Sequence, residues 1–96
     1  MFGLFKKHPN FNSPEDKLKH EMHTKIANRA ILIYRESPLK GTMLEGRALV
    51  DGINQAKEFY SNRSISISED YRVSRENTIK IIDECARSVY NELIES

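Results

Sequence analysis

The chain has 96 residues, 30% of them charged and 39% hydrophobic, a net charge of +1 and one cysteine. That length suits a single domain, since domains commonly run to about 100–150 residues, and apolar residues placed in a pattern argue against disorder throughout. The lone Cys85 excludes an intrachain disulfide and any multi-cysteine zinc site within this sequence.

The charge is unevenly placed. Residues 1–48 hold nine Lys/Arg against five Asp/Glu, or +4, and residues 49–96 hold six against nine, or −3. Two halves packed on each other account for this more simply than a basic face built for an acidic partner. Cys85, next to Ala86 at the margin of an apolar stripe, reads as a small buried thiol in a reducing, cytoplasmic setting. No apolar run approaches the roughly 18–20 residues that span a bilayer. The first residues lack the pattern of a secretory signal.

Residues 1–12 read as a flexible or self-docked segment, followed by one helical domain over 13–96. Phe2, Leu4 and Phe5 precede Lys6 and Lys7, a pattern that also fits a short membrane foot. Docking on the chain's own core is the simpler expectation for a terminus.

Ser13-Pro14-Glu15-Asp16 is a helix start: a capping hydroxyl, a proline at the first helical position and two acids at the positive end of the dipole. The first helix is predicted over about 14–35. Its second half carries apolar residues on most sides, and Ala30–Tyr34 taken alone has the composition of a buried strand. Ser37-Pro38 ends it. A second helix is predicted from about Pro38 or Thr42 to Tyr60. Along it Ala48, Gly52 and Ala56 lie four apart, a ridge of small residues that lets another backbone approach.

Residues 61–73 are expected to form an ordered loop. Ile65 and Ile67 alternate there with serines as in a short strand; an early start of the last helix at Ser68-Glu69-Asp70 is the competing reading. The last helix is predicted over about 75–94, with an apolar stripe at Ile79, Ile82, Ala86, Val89 and Leu93. Glu92 and Glu95 oppose its C-terminal dipole, so the last turn should fray. The expected fold is all-α, a three-helix bundle.

The chemistry-bearing patterns are sparse. His20 and His23, three apart on one helix, form the best metal pair, but a structural zinc site wants four ligands and only His8 could be added. No nucleophile–base pair, phosphate-cradling glycine loop or paired acid stands out, so no catalytic residue and no cofactor is nominated. The stretch Tyr71–Ile79 resembles the turn and recognition-helix start of a helix-turn-helix, with Arg63, Arg72, Arg75 and Asn77 as nucleic-acid contacts. Glu69, Asp70 and Glu76 oppose that reading, and Ser74 also serves as a plain cap.

The reading that remains is a small, non-enzymatic protein-interaction or regulatory module that associates with another protein, foremost a second copy of itself. Ile81 and Ile94 lie outside the main stripe of the last helix. With Val89, Tyr90 and Leu93 they are the expected contact residues of a homodimer.

Overall fold

A computed structural model of the chain describes residues 13–95. The segment 1–12, with Phe2, Leu4, Phe5 and His8, lies outside the described residues. Helix α1 is Pro14–Arg35, α2 Glu45–Ser61, α3 Ser64–Tyr71 and α4 Arg75–Tyr90, closed by a π-helical turn over Asn91–Glu95. The fold is all-α, with no strand among the described residues.

Helix α1 begins as its cap sequence requires. Ser13 is extended, its hydroxyl accepts from the Asp16 N–H at 3.2 Å, and Pro14 opens the first turn. Ala30–Tyr34 belongs to this helix and not to a strand, because propagating a capped helix costs far less than starting new structure. Leu18, Met22, Ile26 and Ala30 are buried at four-residue spacing.

Helix α2 starts later than Pro38 or Thr42. Residues 37–44 are instead a chain of turns held by their own side chains. Ser37 Oγ accepts from the Leu39 N–H, the Thr42 hydroxyl donates to the Leu39 carbonyl, and the Leu44 N–H donates back to Thr42 Oγ1. Gly41 reverses the chain at φ 79°, in the left-handed region that glycine enters without penalty. The small-residue ridge does what its spacing suggests. A Cβ built on Gly52 would sit 2.7 Å from the Ala30 carbonyl oxygen, so α1 and α2 touch backbone to backbone there.

The expected loop at 61–73 is corrected: Ser64–Tyr71 forms helix α3, and the bundle has four helices instead of three. The Ile–Ser alternation misleads because a strand there would need a partner, and Ala30–Tyr34 is taken up in α1. As a helix, the segment puts Ile67 and Tyr71, four apart, against the core and leaves Ile65 outside. Arg72 caps it in the left-handed conformation (φ 57°, ψ 42°). The turn is then clasped from both sides: the Val73 N–H donates to the Ser68 carbonyl and the Ser68 hydroxyl donates to the Val73 carbonyl.

Helix α4 opens on Ser74, whose Oγ accepts from the Asn77 N–H at 3.1 Å. Its buried residues are Thr78, Ile81, Ile82, Cys85, Ala86 and Val89. At about 100° per residue, this arc is centred roughly 50° round the helix from the predicted stripe. Ile79 therefore lies outside at 39% exposure, while Ile81 is buried. The α-helix ends at Tyr90, and the π turn carries Leu93 and Ile94 back onto the core. One core cluster draws on α1, α2, α4 and the α3–α4 turn.

The charge asymmetry is partly spent across the helices. Lys19 meets Glu84 at 3.7 Å and His23 meets Glu92 at 2.9 Å, joining the basic half to the acidic half. Asp83 pairs with Lys57 of α2 at 3.4 Å, not with Arg87 one turn on. Pairs this exposed contribute about 0–1 kcal/mol each.

Candidate functional site

The residues expected to meet a partner are largely used inside the monomer. Ile81 and Val89 are core, at 5% and 0% exposure, and Tyr90, Leu93 and Ile94 pack on that core half-buried. Ile81 lies outside the stripe that periodicity predicts, and the four-helix packing, centred about 50° away, turns that side inward.

His20 and His23 line a groove of ≈ 520 Å³ between α1 and α4, with Lys19, Glu84 and Cys85 on its walls. His23 Nε2 is engaged by Glu92. Among the described residues no three His, Cys, Asp or Glu side chains converge as a metal site. Cys85 donates its S–H to the Lys19 carbonyl at 3.3 Å, and burial pushes its thiol up to about 11. That is the opposite of what a nucleophilic thiolate needs.

Three of the five exposed large hydrophobic residues among the described residues, Leu32, Met43 and Leu44, lie at the far end of the α1–α2 hairpin. Between Ala30 and Ala48 no residue is buried, although the sequence there includes Ile31, Leu32, Ile33, Leu39, Met43 and Leu44. Leu32 is 58% exposed, Met43 101% and Leu44 53%. The reason is reach. Cys85 of α4 meets α1 at Lys19, and Glu92 of the following turn meets it at His23, so α4 is spent before the last turns of α1. The hairpin end is nevertheless ordered by its own contacts. The Tyr34 hydroxyl donates to Glu45 Oε2 at 2.8 Å, and the Gly41 N–H donates to the same oxygen at 3.2 Å. These two bonds hold the Glu45 carboxyl below its usual range, and the same hydrogen bond raises the Tyr34 phenol.

A second arrangement lies beside Leu32, on the flank where Arg29 and Tyr60 line the same hollow. The Arg29 guanidinium carbon is 3.4 Å from the Phe59 ring centroid, and that of Arg63 is 3.6 Å from it. Two guanidiniums that close cannot share one face without overlapping, so they lie on opposite faces of the ring. Their carbons are then at most about 7 Å apart, the sum of the two distances. At that separation two cations repel by about 0.6 kcal/mol in water and about 2.4 kcal/mol at an effective dielectric of 20. Attraction to the ring quadrupole offsets this. Tyr60 meets Phe59 edge-on, with centroids 5.0 Å apart. The Phe59–Arg63 spacing of four was legible on a helix; Arg29 arrives from α1 and was not.

Of the other residues singled out for nucleic acid, Arg72 is the left-handed cap of α3, and Arg75 and Asn77 are exposed in the first turn of α4. A short helix, α3, does precede the turn, as a helix-turn-helix requires. However, Glu69, Asp70 and Glu76 are exposed beside it. Arg63 and Arg72 bracket α3 at opposite ends, roughly 13–14 Å apart along its axis, so the four residues do not form one cluster. Among the described residues no helix is long and apolar enough to cross a membrane. No protein-family model matches the chain, no curated protein matches it in sequence, and no solved structure matches its fold.

Proposed function

We propose that this chain is a helical protein-interaction module whose working surface is the end of the α1–α2 hairpin, and that its partner is a second copy of itself. The observation that carries the reading is the run from Ile31 to Arg47: rich in apolar residues, ordered by the Tyr34–Glu45–Gly41 bonds, and without one buried residue. Scattered exposed leucines mean little, but several exposed apolar side chains gathered at one end of an ordered hairpin mark a contact site.

Charge favours a like partner. Around this surface Arg35, Lys40 and Arg47 are matched by Glu36, Glu45 and Asp51, so a copy meets no net repulsion. A two-fold axis can set each sign against its opposite. Two hairpin ends packed in this way complete the helix packing that α4 is too short to provide. The exposed apolar side chains are few, which places the association among weak, reversible contacts and not obligate ones. The buried, unpaired thiol of Cys85 suits a reducing cytoplasm, the setting we assign to it.

Sedimentation equilibrium of the full chain at tens of micromolar tests this. A reversible dimer is expected, abolished by Leu32→Glu with Leu44→Glu, while the far-UV circular dichroism stays unchanged because both positions are exposed. A strict monomer at those concentrations, or a dimer indifferent to both substitutions, rules the surface out.

A further inference from the structure

Beyond self-association, we infer that the flank formed by Lys25, Arg29, Tyr60 and Arg63 is a binding site for a nucleotide phosphate, either free or in a single strand. Three cations gather there from two parts of the chain: Lys25 and Arg29 one turn apart on α1, and Arg63 from the α2–α3 junction. None of them has a carboxylate partner among the described residues, where the ion pairs are Lys19–Glu84, His23–Glu92 and Lys57–Asp83. Glu21, on the same side of α1, is taken by the Tyr71 hydroxyl.

The clamp on Phe59 fixes two of the three charges before any ligand arrives. Arg63 spends one donor on the Phe59 carbonyl at 3.0 Å. Arg29, half-buried, has no hydrogen-bond acceptor among the described residues. Each prepositioned fork, on its own side of the ring, keeps N–H groups that match the oxygens of a phosphate, and Lys25, shared by both hollows, adds a cation on either side.

The surroundings select more than a bare anion. Two hollows, of ≈ 290 and ≈ 360 Å³, share Lys25 and Tyr60 as walls; Arg29 lines the first and Arg63 the second. Tyr60, standing between them, offers an aromatic surface for a base to stack on, as single-stranded nucleic-acid sites do. Leu32 and Ile33 extend the first hollow, and Ile67 and Tyr71 the second. Asp70 on the second wall can accept a hydrogen bond from a ribose hydroxyl or an exocyclic amine. An inorganic anion would use neither the ring nor this carboxylate.

The test is titration of the full chain, followed by tyrosine fluorescence and by calorimetry, with inorganic phosphate, adenosine monophosphate, a phosphoserine peptide and a twelve-nucleotide single strand as separate probes. The nucleotide is expected to bind at least tenfold more tightly than phosphate. Arg29→Gln with Arg63→Gln should weaken nucleotide binding at least tenfold. Arg72→Gln with Arg75→Gln should leave it within twofold, with unchanged circular dichroism in both. A strand that binds tenfold tighter than the mononucleotide, with a log–log salt slope near about −2 for three cations, names nucleic acid as the source. Equal affinity names the free nucleotide. Equal loss in both variant pairs, phosphate binding as well as nucleotide, a phosphoserine peptide binding more tightly than either, or no binding at millimolar concentration each overturns the assignment.

Discussion

Replacing Gly52 with alanine separates two effects that are usually confounded. Within an isolated helix the change stabilises, since glycine costs about 1 kcal/mol relative to alanine. In this fold the new methyl group would lie 2.7 Å from the Ala30 carbonyl oxygen, roughly 0.7 Å inside ordinary contact at 3.4 Å. The obstructing atom is backbone, so no rotamer change can clear it, and α1 must move as a body. Overpacking of this kind costs about 1–3 kcal/mol, which leaves a net loss of about 0–2 kcal/mol after the propensity gain. Gly46 is the internal control, because a Cβ there meets nothing within 4 Å. Gly46→Ala should stabilise by about 0.5–1 kcal/mol. At about 4–8 °C per kcal/mol for a domain this size, thermal melts should move Gly46→Ala upward by several degrees and Gly52→Ala by as much as ten or more downward. If Gly52→Ala melts as high as Gly46→Ala, the two helices do not meet backbone to backbone at Ala30, and the account of the α1–α2 contact fails.

Thr78 is fully buried, and its hydroxyl has no hydrogen-bond partner among the described residues; Thr78→Val should therefore stabilise by about 1 kcal/mol in urea denaturation, and a loss of that size would mean the hydroxyl is bonded. Cys85 should resist a disulfide reagent at pH 8 in the folded chain and react at once in denaturant, since its thiol is buried and shifted up to about 11; rapid labelling of the native protein would contradict its burial. Tyr71, raised to about 12 by burial and then by its bond to Glu21, should make stability depend on alkaline pH. Below 10.0, its ordinary value, both states keep the proton; between that and 12 the unfolded chain has lost it and the folded chain has not, so stability falls as pH rises through this window. Urea midpoints measured from pH 9 to 11.5 should fall less steeply in Tyr71→Phe, and identical slopes would show that the phenol is not desolvated.

Much of the fold could be read from local chemistry. Ser13-Pro14-Glu15-Asp16 and Ser74 specify helix starts because a cap needs only its own next three residues. Ala48-Gly52-Ala56 announces a close helix pair because only small side chains permit it. Residues 64–71 went the other way. An Ile–Ser alternation fits a strand or half a helix equally well, and only the absence of a partner strand decides. The site divides along the same line. Apolar residues on most sides of the second half of α1 were visible in the sequence, but their exposure was not, since it depends on where α4 stops.

The sequence by itself determined an all-helical chain, the caps that begin α1 and α4, and the small-residue ridge at which α1 and α2 touch, because these follow from interactions between residues three or four apart. Tertiary structure alone decided that Ile81 lies inside and Leu32 outside, and that Arg29 meets Arg63 across Phe59. Those outcomes depend on the lengths and rotations of separate helices, which periodicity within any one of them cannot specify.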